Sequence, residues 1–370
     1  MARTFKPHTI LMWKPVAECA EAQRIISMFP SAKIEHVEHQ RMPSVSRGTA
    51  AELLLKGKRT LMIGATGSFV GDFDGRLGAS VHCCPYYKLV PLSNGCPYYC
   101  TYCYLAFVYR KFSPFIKLNI NYDIMLHQIR KAAAQCPGTA NFNMGEMLDS
   151  LALDHITALT ITLVPFFATI PNAHLMLLTK SANVDNLIAI PSTRNTVVSW
   201  SLNNQHAIDT YELGTASLTE RIDAAVKCQN HGYRIRFRID PGILHDDWRN
   251  AYADLIRQAL AAVQPENITL GMLRLLPAHR RLAVAAYRER SKPLSQQDLA
   301  VKCSDGKLRY PNAKRIEFYD HIINCVKSIN RDVPISLCRE SPDIWHALKH
   351  RVQTGECNCV DRPRQATTLF

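Results

Sequence analysis

Residues 95–105 read GCPYYCTYCYL, and three cysteines, Cys96, Cys100 and Cys103, fall within eight positions. The spacing, Cys-x3-Cys-x2-Cys, lets all three thiols turn inward from one loop. Thiolates are the usual ligands of iron–sulfur clusters and of zinc. A structural zinc site takes four ligands and generally comes as two Cys-x2-Cys halves. A 4Fe-4S cluster on three cysteines keeps one iron without a protein ligand. An open position on a metal is where chemistry can happen.

Outward from this loop the chain looks like an enzyme-sized globular protein. It has 370 residues, 47% of them hydrophobic and 20% charged, enough for a sizeable core and not the balance of a disordered chain. The net charge of +13 favours an anionic partner, most often nucleic acid. The start carries no cleavable leader pattern, and no apolar run approaches the ~18 residues a membrane span needs. The best candidate, LTITLVPFFATIP at 159–171, reads as a core helix and its exit. A cytoplasmic location is therefore expected, where thirteen cysteines suggest metal ligation or burial, not disulfides.

Strands and helices alternate after the cysteine loop. ANFNMG at 140–145, HLMLLTKS at 174–181, TVVSWSLNN at 196–204, YRIRFRIDPG at 233–242 and ITLGMLRLL at 268–276 read as strands. NYDIMLHQIRKAAAQ, LDHITALTITLVPFFA, LTERIDAAVKCQNHG and DDWRNAYADLIRQALAAV read as helices; Thr219 is a possible N-cap of the third and Gly232 its stop. Such alternation implies parallel strands with crossover helices. Five to six units fit between about 90 and 280, too few for an eight-fold barrel. The glycine-rich GATGSFVGDFDGRLGAS at 64–80 reads as a loop, with no phosphate-binding signature. The expected division is an N-terminal mixed α/β extension over 1–85, a barrel over 86–285 and a helical or mixed extension over 286–370.

The cysteine motif, with an aromatic residue before its last cysteine, is the signature of radical S-adenosylmethionine enzymes, and the wider match resembles the spore photoproduct lyase family. FNMGEMLDSLALDH, LLTKSANVDNL, VVSWSLN and YELGTASLTERIDAAVKCQNHGYRIRFRIDP match that family's later blocks in order. The resemblance covers about 80 to 280. It implies a partial (β/α)6 barrel of the TIM type, a 4Fe-4S cluster on Cys96, Cys100 and Cys103, and S-adenosylmethionine at the open iron. Reductive cleavage of that cofactor would give a 5′-deoxyadenosyl radical that abstracts hydrogen from substrate. An electron donor such as flavodoxin or ferredoxin is implied as a partner.

By the same resemblance Gly145 and Glu146 match the element that binds the cofactor's amino group, and a carboxylate there would accept hydrogen bonds from an ammonium. Lys180 matches a position that contacts the cofactor carboxylate, and Ser201 another cofactor position. In YRIRFRIDP, Ile235, Phe237 and Ile239 alternate with Arg234, Arg236 and Arg238. In a barrel the apolar set faces the outer helices and the arginines face the lumen. Buried charge demands partners. Arg238 would contact the cofactor or an anionic substrate, or else the arginines pair with internal carboxylates.

One position departs from the family. The lyase uses a cysteine as hydrogen donor, and an ungapped match sets Glu146 there. Tyr102 and Tyr104 are then the first replacements to consider, as catalytic phenols or as packing on adenine or the cluster. Cys83, Cys84, Cys357 and Cys359 have no clean four-ligand spacing. They could substitute as hydrogen donors or hold an auxiliary cluster or zinc, but read first as buried thiols, as do the singly scattered Cys19, Cys136, Cys228, Cys303, Cys325 and Cys338. The leading function is a radical enzyme on DNA, for repair or base modification. RNA, a peptide or a small metabolite is the alternative substrate. A non-enzymatic zinc adaptor, with His82 or a distal cysteine as fourth ligand, is the remote alternative.

Overall fold

A computed structural model describes residues 5–41, 48–77, 81–82, 84–109, 113–353 and 357–361. Strands β1 (Thr9–Trp13), β2 (Lys33–Val37) and β3 (Thr60–Gly64) open the chain. They form a five-stranded sheet with two later strands, β6 (Leu92–Ser93) and β7 (Ile116–Asn119), in the order β2-β1-β3-β7-β6.

The second sheet builds the barrel. Its strands are β4 (Val70–Phe73), β5 (Tyr86–Leu89), β8 (Ala140–Asn143), β9 (Ala173–Thr179), β10 (Thr196–Ser201), β11 (Arg234–Gly242), β12 (Ile268–Met272) and β13 (Ile335–Leu337). The order is β13-β12-β11-β10-β9-β8-β5-β4. Neighbours from β5 to β13 pair in parallel, and β4 caps the edge antiparallel to β5. Among the described residues no ladder joins β13 to β4, so this is an open partial barrel, as expected. The sheet takes β4 from before residue 86 and β13 from after residue 285, so strand membership crosses both expected limits.

Two local expectations change. The glycine-rich stretch contributes β4, because an antiparallel edge position tolerates Gly71 and half-exposed polar residues. The helix Leu218–Asn230 is capped by Ser217, not Thr219. Ser217 accepts from the Glu220 amide at 3.2 Å and Glu220 reaches back to the Ser217 amide at 2.8 Å, so a capping box decides the start. Gly232 ends that element at φ +91°, where a side chain would be strained.

The barrel strands are buried on both faces, as parallel strands under crossover helices must be. Phe142 on β8 meets Phe167 of the outer helix Leu159–Ala168 edge-on, centroids 5.3 Å apart. On β11 the apolar set Ile235, Phe237 and Ile239 joins this core, and the three arginines turn to the lumen. Their partners arrive from far along the chain. Residues 357–361 fold back beneath the sheet. Asp361 pairs with Arg234 at 2.5 and 2.7 Å, with Arg236 at 2.8 Å and with His174 at 2.5 Å. Asn358 anchors the same segment on Ser199 (2.7 Å), the Phe237 carbonyl (2.7 Å) and Thr269 (2.9 Å). Among the described residues no helix is long and apolar enough to cross a membrane.

Burial opposes ionisation of Asp361, but the His174 and Arg234 hydrogen bonds and the arginine charges outweigh it, holding its carboxyl far below the usual range. Its stabilisation is present above the unfolded-state carboxyl range and is lost as pH falls through the depressed folded value. Asp361→Asn leaves Arg234 and Arg236 with Glu266 as their one carboxylate partner, so urea unfolding at pH 7 is expected to show a loss of about 3 kcal/mol. A stability within ~0.5 kcal/mol of the parent would refute this pairing as a structural anchor.

Candidate active site at the strand ends

In barrels of parallel strands the loops after the strands assemble the functional face. Here that face holds a cavity of about 1040 Å³, open mouth included. It gathers Cys96, Cys100 and Cys103 from the loop, Gly145 and Glu146 after β8, Lys180 after β9, Ser201 at the end of β10 and Arg238 on β11. Tyr102 and Tyr104 line it too. All ten residues singled out from the sequence therefore reach one space, from five separate segments of the chain.

The cysteine loop is docked by a two-residue ladder. Tyr99–Cys100 pairs antiparallel with Glu212–Leu213, and the Thr101 amide donates to the Tyr211 carbonyl at 2.9 Å. Lys58, itself buried, donates to the Cys96 carbonyl. Cys100 is buried, and Cys96 and Cys103 are part-exposed. Cys100 packs with Cys96 and Cys103 in one small cluster with Tyr98 and Ala152. Gly145 is a requirement of the packing, since a Cβ there would sit 2.1 Å from the Leu178 Cβ.

Glu212, to which sequence reasoning assigned no role, ties the named residues together. It is fully buried and accepts from the Tyr102 hydroxyl, from Lys180 at 3.0 Å and from Arg221 at 2.6 Å. Lys180 also donates to Ser201 at 2.7 Å. Burial pushes the Glu212 carboxyl up, but the Arg221 and Lys180 charges and the Tyr102 and Arg221 hydrogen bonds prevail, leaving it at about 2. Glu212 lies in the quoted block YELG, but only the fold brings Tyr102, Lys180 and Arg221 around it.

A second charged layer lies beside the first. Glu146 receives Arg238 at 2.5 Å and Arg339 at 2.6 Å, and these two cations overcome its burial to leave it at about 2. Arg238 also meets Asp240 at 2.8 Å and the Cys338 sulfur at 3.1 Å. Arg274 holds Asp240 through two bonds of 2.9 Å. Thus Arg238 faces the cavity with its guanidinium already engaged by internal acceptors. Asp149 accepts from Thr179 (2.7 Å) and the Lys180 amide (2.8 Å), locking the loop after β8 to the end of β9. Tyr104 is 43% exposed at the mouth, with Lys307 over its ring at 4.5 Å. Burial first, then repulsion by Arg274 and Arg339, lowers Lys307 to about 8. Cations among the lining residues are Lys180, Arg238, Arg274, Lys307 and Arg339; Glu146, Asp149 and Asp240 are the acids. The excess is positive.

Glu212 contributes stability above the unfolded carboxyl range, and that contribution disappears as pH falls towards 2. Replacing it leaves Arg221 and Lys180 unpaired. Glu212→Gln is expected to lower unfolding free energy at pH 7 by about 3 kcal/mol. It should also flatten the decline of stability between about pH 5 and pH 2. An unchanged acid limb in the variant would contradict the assignment.

Comparison with known proteins agrees with this architecture. The family model described as spore photoproduct lyase matches residues 5–318. The spore photoproduct lyase of Clostridium acetobutylicum is 26% identical over 255 residues, covering 68% of this chain and 73% of that protein. The Bacillus subtilis enzyme is 25% identical over 284 residues, covering 76% and 80%. A tyrosine-to-phenylalanine variant of spore photoproduct lyase superposes with a TM-score of 0.77 at 21% identity, covering 90% of this chain and 99% of that one. Another structure of that lyase, with bound AdoMet and dinucleoside spore photoproduct, gives 0.74 at 20% identity. With 314 consecutive residues matched and the partial barrel and its cysteine loop in place, the chain belongs to the spore photoproduct lyase family of radical S-adenosylmethionine enzymes.

Proposed function

We propose that the cavity binds a 4Fe-4S cluster on Cys96, Cys100 and Cys103 together with S-adenosylmethionine, and that it acts on a lesion or base in DNA. The observation that carries this reading is the convergence of those cysteines with Gly145, Glu146, Lys180 and Ser201 at one cationic cavity. The donor set fits the group. Three thiols carried by one loop suit a cluster that keeps one iron open, and the close approach at Gly145 keeps the wall free of side-chain bulk. When bound and reduced, the cluster supplies the electron that cleaves the cofactor's sulfonium bond to give a hydrogen-abstracting 5′-deoxyadenosyl radical.

The chain's own residues have separable tasks in this reading. The thiols lose their protons on ligation. Lys180 and Ser201, oriented by Glu212, face the cofactor's carboxylate end. Glu146, with Arg238 and Arg339 behind it, presents an ionised carboxylate to an ammonium. Tyr102 is a positioning residue through its bond to Glu212, and Tyr104, open at the mouth, is the phenol that a substrate can reach. One solved spore photoproduct lyase holds a dinucleoside spore photoproduct, and within a DNA strand such a pair of nucleosides is joined by a phosphodiester. The net positive lining of the cavity, with Lys307 over the Tyr104 ring at the mouth, suits such an anion, and a base in duplex DNA must be extruded to enter. Glu146 in the place of the family's cysteine favours a second reading, in which the radical chemistry is kept and the substrate is RNA, a peptide or a small metabolite. A reduced protein such as flavodoxin or ferredoxin is proposed as electron donor, and a cytoplasmic setting as its location.

Anaerobic reconstitution with iron and sulfide is expected to give a brown protein that forms 5′-deoxyadenosine under reduction. Alanine at Cys96, Cys100 and Cys103 should abolish both, and persistence of both would sink the assignment. Ultraviolet-irradiated DNA should be altered in preference to undamaged DNA and RNA, and altered RNA alone would select the second reading. Tyr104→Phe should still form 5′-deoxyadenosine while losing the repaired product. A fully active variant would remove Tyr104 as donor.

Lys307 is charged below about pH 8 and neutral above it. Affinity for a short anionic oligonucleotide should therefore fall as pH rises through about 8. Lys307→Met should weaken binding about tenfold and remove that step, while Lys307→Arg keeps affinity and also removes it. A pH step unchanged in both variants would assign it elsewhere.

A further inference from the structure

We propose a second metal site in this chain: a mononuclear zinc centre held by Cys84, Cys338, Cys357 and Cys359 beneath the floor of the cavity. The sulfurs of Cys338, Cys357 and Cys359 all lie within 4.8 Å of one another, and all three residues are buried. Cys84, buried with them in the same cluster, touches the Cys357 thiol. Thiolates at about 2.3 Å around one tetrahedral zinc stand about 3.8 Å apart, close to this crowding. Ligands of a cuboidal iron–sulfur cluster are spread over several irons and stand further apart. Cys84, beside this trio, would supply the fourth thiolate of a structural zinc set, in contrast to the three of the loop.

The surroundings match a metal–thiolate centre. Zinc with four thiolates carries two negative charges, and Arg238 donates to the Cys338 sulfur at 3.1 Å. Arg236 holds the segment by the Val360 carbonyl at 2.6 Å. Asn358, between two of the ligands, is fixed by three strands and so orients both neighbours. Binding releases the thiol protons to solvent.

The site also answers a problem of the fold. Cys84 precedes β5 and Cys338 follows β13, the first and last of the parallel strands, which share no ladder. Strand tilt in a barrel lets the lower end of one edge approach the upper end of the other. A metal there closes the seam that hydrogen bonds leave open, and it pins residues 357–361 under Glu146. Cys359 reaches within 3.8 Å of the Glu146 carboxylate, so the centre and the cavity floor share a wall. The other role open to these thiols is that of free hydrogen donors at the position the family's cysteine holds.

Metal analysis of the full chain separates these. Zinc is measured in the parent and in the combined Cys96→Ala, Cys100→Ala, Cys103→Ala variant, which cannot hold the loop's cluster. About one zinc per chain is expected in both. Adding Cys357→Ser and Cys359→Ser should lower it about tenfold or more. Should that variant fail to fold, cobalt titrated into metal-stripped parent should develop the tetrahedral thiolate spectrum and be displaced by zinc. No zinc and no cobalt spectrum, iron with sulfide in the combined variant, or zinc that survives loss of Cys357 and Cys359 would each overturn the proposal. Free thiols in the first case would favour the donor role.

Discussion

The constraint on which this architecture rests is the neutralisation of cations inside a barrel. Strand β11 must turn its branched and aromatic residues to the outer helices, and the pleat then forces Arg234, Arg236 and Arg238 inward. A guanidinium left unpaired there would destabilise the fold by several kcal/mol. Each one is answered by a carboxylate from another part of the chain, Asp361 and Glu266 below and Glu146 above, with Asp240 of the same strand adding to Arg238. The same rule governs Arg221 and Lys180 around Glu212 and Arg315 against Glu340.

Those pairings also set the shape of the site. Asp361 draws the end of the described chain back under the sheet and so brings Cys357 and Cys359 to Cys338. Glu146, held between Arg238 and Arg339, becomes a fixed ionised wall of the cavity. Glu212 joins the cysteine loop, through Tyr102 and the short ladder, to Lys180 and Ser201. Glu146, Lys180 and Arg238 are therefore both members of structural ion pairs and walls of the cavity, and replacing one would disturb both stability and cavity shape. Strongly shifted carboxylates cluster at this face for that physical reason.

Much of this was legible from residue order. The cysteine spacing marks the cluster loop because ligands from one loop are local in sequence. Period-two alternation in YRIRFRIDP gives the inward arginines, since strand geometry makes side-chain direction a matter of counting. Other features were not. Ser217 displaced Thr219 as cap because the Glu220 partner, not the apolar pattern, sets the first turn. The stretch at 64–80 supplied a strand because an edge position needs little from its side chains. Nothing local to Glu212, Asp149 or Asp361 signals Arg221, Thr179 or His174 as partner, since these stand 9, 30 and 187 residues away.

The sequence by itself determined the class of protein: parallel strands with crossover helices, a three-cysteine loop and a net positive charge. Each of these follows from spacing, periodicity or composition, which are properties of short stretches. Tertiary structure alone decided which carboxylate meets which arginine. It also decided that Cys84, Cys338, Cys357 and Cys359 share one buried cluster although about 270 residues of chain separate the first from the last. Ligand sets and buried ion pairs are assembled by closure of the barrel, whose cooperative packing supplies the free energy that holds distant charges and thiols together.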